Sequence, residues 1–100
     1  MRNSKSFRVR IKLSEYDAVA IVFNEVIGKL ISGELPNKIT QKYCRDCIMS
    51  ELSSSGLSTI DDIAYYMGMV LDDHDDERYE TIVDIARQIE EQVHKIYKNK

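Results

Sequence analysis

The spacing of apolar positions divides the chain into one short segment with a period of two and four longer segments with a helical period. In residues 6–13, Phe7, Val9, Ile11 and Leu13 alternate with Arg8, Arg10 and Lys12. Such alternation predicts a half-buried strand, here with one apolar and one cationic face. Tyr16, Val19, Ala20, Phe23, Val26, Ile27, Leu30 and Ile31 then recur at three- and four-residue steps and predict helix A over 15–31. Ser14 is its N-cap, with Asp17 three residues on, and Ser32-Gly33 ends it. The unbroken apolar run 18–23 also allows a second strand in a hairpin with the first, but the longer helical stripe favours the helix.

Pro36 and Asn37 mark a turn. Thr40 caps a helix B over 40–53, with Tyr43, Cys44, Cys47, Ile48 and Leu52 as its buried stripe. The serines and glycine of 53–56 form a break. Helix C follows over 59–71, capped by Ser58 or Thr59, with Ile60, Ile63, Ala64, Met67, Val70 and Leu71 on one face. Residues 72–77 make an acidic loop. Helix D runs over 78–97 on Tyr79, Ile82, Val83, Ala86, Ile89, Val93, Ile96 and Tyr97. The expected fold is mainly α, an N-terminal β-strand followed by four helices. Residues 1–55 form one module and 56–100 a helical extension, with a single domain as the alternative division.

Charge sharpens this division. Residues 1–45 carry nine Lys/Arg and four Asp/Glu, a balance of +5; residues 46–100 carry five and thirteen, a balance of −8. A basic first half can face a polyanion while the acidic half points away from it. One hundred residues bury a modest core, which makes association with another chain plausible. No apolar run reaches the roughly 18 residues of a membrane span, and no signal-peptide pattern follows the basic N-terminus. The expectation is a cytoplasmic chain with no membrane partner and with its two cysteines reduced.

Candidate chemistry narrows the classes further. Cys44 and Cys47 form a C-x-x-C, but zinc needs two more ligands, and His74 and His94 are far apart in sequence. At i and i+3 on helix B the cysteines read as core. The run 72–77 lacks the mid-loop glycine of a calcium loop and reads as a solvated acidic loop, with a basic protein partner as its other use. Tyr65, Tyr66, Met67 and Met69 read mostly as core, with an interaction surface as the alternative. No phosphate loop, nucleophile elbow or Ser/His/Asp spacing is present, so neither an enzyme nor a cofactor is expected.

The order strand, helix A, loop, helix B over residues 6–53 resembles the ribbon-helix-helix family of repressors such as MetJ and Arc. The resemblance implies a homodimer whose paired strands enter the DNA major groove. It implies that Arg8, Arg10 and Lys12 contact bases, and that the start of helix B clamps phosphate through free backbone N–H groups. Lys38, Thr40, Gln41 and Lys42, with Arg2 and Lys5, would hold further phosphates. With helices C and D added, the layout is similar to the TraM proteins of conjugative plasmids, which implies a tetramerising extension. The expected function is therefore a DNA-binding regulator or relaxosome accessory protein, a homodimer or tetramer on double-stranded DNA. The alternatives are an edge strand in an α+β domain, a hairpin, or an all-helical chain. A second functional class is a small acidic helical module, such as an immunity protein or phage-encoded inhibitor, that covers a basic nucleic-acid enzyme with its acidic half.

Overall fold

The computed structural model describes residues 13–36, 38–54 and 60–98. They contain four helices: α1 (Glu15–Ser32), α2 (Gln41–Ser54), α3 (Ile60–Asp72) and α4 (Tyr79–Lys98). Local chemistry sets three of the boundaries. The Ser14 hydroxyl accepts the backbone N–H of Asp17 at 3.0 Å and opens α1. Gly33, at φ 81°, closes it. The Gly33 N–H reaches the Leu30 carbonyl at 3.3 Å and the Glu34 N–H reaches that of Lys29 at 2.8 Å, a Schellman closure that needs a left-handed residue. The Thr40 hydroxyl accepts the N–H of Tyr43 at 3.0 Å and caps α2.

α1 is the centre of the bundle. It packs along α3 and α4 and also against α2, while α3 meets α4 only lightly. All residues from Ala18 to Phe23 are buried, followed by Val26 and Ile27. Phe23, Val22 and Val26 of α1, Cys44 and Ile48 of α2, and Ile89 and Val93 of α4 form the fully enclosed centre. Each large apolar side chain there stabilises the fold by about 1.5–3 kcal/mol through burial. Ile82, Ile85, Ala86, Ile89, Val93 and Ile96 give α4 a continuous apolar stripe. α3 contributes Met67 to the buried set, with Ile63, Ala64, Val70 and Leu71 half-covered around it. Among the described residues no helix is long and apolar enough to cross a membrane.

The expected N-terminal strand and ribbon-helix-helix layout do not describe this architecture. Among the described residues the fold is all-helical, with no strand. Residues 6–12 of the expected strand lie outside the described residues, and Leu13, its last apolar position, is a buried residue just before the α1 cap. The physical reason lies in α1. In a ribbon-helix-helix dimer, helix A must offer an apolar side to the ribbon and to the second chain. Here α2, α3 and α4 of the same chain already enclose it. The run 18–23 is the interior of a helix buried on every side, so the hairpin alternative also falls.

Candidate protein-binding face

α3 is amphipathic with an unusual outer side. Its inner positions rest on α1, while Asp61, Asp62, Tyr65, Tyr66 and Met69 face outward at steps of three and four. Tyr65 is 72% exposed, Met69 55% and Tyr66 40%. Two aromatic rings and a thioether therefore stand in solvent, with two carboxylates one turn before them. Asp61 and Asp62 also lie in the first turn of α3, where the helix dipole favours negative charge.

The acidic loop continues this face and is internally braced. The His74 N–H reaches the Asp72 carbonyl at 3.0 Å, and the Tyr79 N–H reaches that of Asp76 at 2.9 Å. An Asp76 carboxylate oxygen accepts the Arg78 N–H at 2.7 Å, and the Arg78 guanidinium lies 3.5 Å from the same oxygen. The His74 ring stacks on Tyr79 with centroids 4.8 Å apart. From 60 to 84 the chain places nine carboxylates, of Asp61, Asp62, Asp72, Asp73, Asp75, Asp76, Glu77, Glu80 and Asp84, against one cation, Arg78. All but Asp76 are exposed. The described residues as a whole hold seventeen acids and eight Lys/Arg, a balance of −9, and the remaining six Lys/Arg of the chain lie outside them.

Where the last turns of α1 approach α3, a groove of about 210 Å³ opens. Its walls are Ile27, Leu30, Ile31, Tyr66, Met69 and Val70, with Ile82 of α4 at the base; Asp73, Asp76 and Arg78 form the rim. Ile31 is 63% exposed and Leu35, just beyond α1, is also open to solvent. The periodicity put Ile31 and Tyr16 on the apolar stripe of helix A; both are exposed, each lining an open groove beside a neighbouring helix.

A second, shallower groove lies between the start of α1 and the end of α4, lined by Glu15, Tyr16, Val19, Arg87, Glu90, Glu91 and His94. Nδ1 of His94 lies 3.1 Å from a Glu15 carboxylate oxygen. The Tyr97 hydroxyl donates to the Leu13 carbonyl at 2.9 Å.

Of the residues expected to touch DNA, Arg2, Lys5, Arg8, Arg10 and Lys12 lie outside the described residues. Lys38, Thr40, Gln41 and Lys42 gather at the N-terminus of α2. Lys38 is exposed, Thr40 is the cap, Gln41 is half-buried, and Lys42 pairs with Asp46 at 2.8 Å one turn along the same helix. Cys44 is buried and Cys47 half-buried, both as free thiols. Burial, with the neighbouring Cys47, pushes the Cys44 thiol up to about 12; burial pushes that of Cys47 up to about 11. Such thiols are poor nucleophiles and poor ligands at neutral pH. Among the described residues no three His, Cys, Asp or Glu side chains converge as a metal-binding group.

Comparison of the chain with protein-family models, curated proteins and solved structures finds no match. The functional reading therefore rests on the geometry. The periodicity located α3 but placed Tyr65, Tyr66 and Met69 mostly in the core. The signal that separates them is the inner set Ile63, Ala64, Met67, Val70 and Leu71, which already fills the core-facing side and leaves Tyr65 for the solvent side and Tyr66 and Met69 for the margin that lines the groove with α1.

Proposed function

We propose that this chain is a small acidic helical module that binds a protein of opposite charge through the outer face of α3 and the loop and first turns of α4 that continue it. One observation carries the reading: solvent-facing Tyr65, Tyr66 and Met69 stand on a segment, 60–84, that carries nine carboxylates and one cation, with Asp73 and Asp76 beside Tyr66 and Met69. Tyr and Met are favoured where proteins meet, and exposed acids steer a basic partner toward the aromatic patch. Residues 60–84, with nine carboxylates and one cation, repel a polyanion. An inhibitor-like protein that masks a cationic nucleic-acid enzyme has this character.

Double-stranded DNA is the competing target, favoured by the five cations among residues 1–12 and by Lys38 and Lys42 at the start of α2. One experiment separates the two. Proteins retained by the immobilised full chain are identified, purified and rebound at graded salt, and the chain is titrated with duplex DNA in the same buffers. The proposal expects a basic partner whose affinity falls with salt and no DNA complex. A DNA complex with a steep negative salt slope, and no basic protein that rebinds, refutes it.

A further inference from the structure

We propose that the groove between the end of α1 and α3 is a single-anchor site for a short basic amphipathic segment of the partner. The segment would insert one large apolar side chain between Ile31 and Met69 and lay a neighbouring Lys or Arg against Asp73. This rests on the protein-binding reading above and adds to it the place and chemistry of recognition.

The groove has the dimensions of one anchor. An enclosed apolar cavity of about 150 Å³ admits a benzene ring, and the opening here is about 210 Å³. Its walls come from two helices in matching register: Ile27 and Ile31 are one turn apart on α1, and Tyr66 and Met69 are one turn apart on α3. A side chain entering between them loses its water contact on both sides. Ile31 and Met69 are the most exposed apolar members of that wall, and covering them removes apolar surface from water without disturbing the core below. Met adapts its shape to different anchors, as it does at other binding surfaces.

The rim selects the sign of the segment. Asp76 is engaged by Arg78 through the backbone and the guanidinium. Asp73 is exposed and has no side-chain partner among the described residues, and Asp72, Asp75 and Glu77 are its neighbours along the same loop. An anchor flanked by cations at helical or extended spacing meets this rim favourably; one flanked by acids meets like charge. The same acidic loop on a second copy would bring like charge to this rim and is the less suitable occupant.

The test uses the full chain and a synthetic 14-residue helical peptide of Leu, Lys and Arg with leucines on one face. Controls are the same composition scrambled and a version with Glu for every cation. Binding is read by fluorescence anisotropy and by the methyl NMR signals of Met69, Ile27, Ile31 and Ile82. The expected result is binding of the first peptide with those methyl signals shifted. Met69→Glu or Ile31→Glu should weaken it about ten-fold or more with an unchanged circular dichroism spectrum, Asp73→Lys should weaken it several-fold, and the acidic peptide should not bind. Both wall residues are exposed, so neither substitution threatens folding. Absence of binding, binding without movement of these methyls, or groove signals that shift on simple dilution of the chain as a dimer dissociates would each overturn the proposal. If neutralising Asp61, Asp62 and Glu80 abolishes binding while the groove variants do not, the acidic face stands and the groove assignment falls.

Discussion

The hydroxyl of Tyr97, on the last turn of α4, donates a 2.9 Å hydrogen bond to the backbone carbonyl of Leu13, immediately before the cap of α1. It reaches toward the Ser14 carbonyl as well, at 3.3 Å. Residues 84 positions apart are thus joined, and the bond fixes the entry of the chain into its central helix. Tyr97→Phe keeps the ring and removes the donor. The expected loss is about 1 kcal/mol in urea denaturation, with the helical spectrum unchanged.

Stability should fall in alkali more steeply than the exposed charges alone would cause. Burial raises Cys44 and Tyr97 to about 12 and Cys47 to about 11, and it pushes Tyr43 up as well. Each group holds its proton longer in the folded chain than in the unfolded one. The folded state is therefore favoured fully below about pH 9, where unfolded thiols are still protonated, and loses that advantage as pH rises toward 12. Denaturation at pH 8, 9.5 and 10.5 should show a progressive decrease, and Cys44→Ala should flatten the curve while lowering stability at pH 8. A pH-independent midpoint would contradict the burial of these groups.

Thiol labelling provides a kinetic check on the same site. Cys47 is half-buried and Cys44 fully buried, so an aromatic disulfide reagent at pH 8 should modify Cys47 first and Cys44 only on the timescale of opening. Both should react at once in denaturant. Rapid equal modification of the native chain would show that α2 does not pack as described.

Gly33 and Phe23 set the scale for backbone and core. Gly33 has no atom within 4 Å of where a Cβ would stand, so the penalty of Gly33→Ala comes from its φ of 81° alone, about 1 kcal/mol. Phe23 is fully buried in the middle of α1, and Phe23→Ala should remove about 3–5 kcal/mol, enough to unfold a marginal domain. Thermal melts of the two variants should differ accordingly.

The helices were legible because their punctuation is local. The spacing predicts helices over 15–31, 40–53, 59–71 and 78–97, and each observed helix is displaced from those bounds by no more than one residue. Ser14, Thr40 and Gly33 act where their chemistry places them. The N-terminal strand was a different matter. Its evidence was alternation over eight positions, a pattern that says nothing about which surface the apolar side would cover, and the apolar middle of α1, Ala18 to Phe23, is already covered by helices of its own chain. The groove was illegible for another reason. Ile27 and Ile31 lie some 40 positions from Tyr66 and Met69, and periodicity within each helix carries no information about where two helix ends diverge. The acidic character of the site, by contrast, was visible as the run 72–77 and the charge split along the chain.

The most direct test of the proposed binding role is the affinity of the recovered basic partner for the chain and for a variant carrying Asp61→Asn, Asp62→Asn and Glu80→Gln, measured in one buffer. All three positions are exposed but lie in the first turn of a helix, so each change costs about 0.3–1 kcal/mol and the variant should melt somewhat lower while staying folded at the assay temperature. The account predicts about ten-fold weaker binding and a shallower dependence on salt for the variant. Equal affinity and equal salt dependence for the two proteins would contradict it.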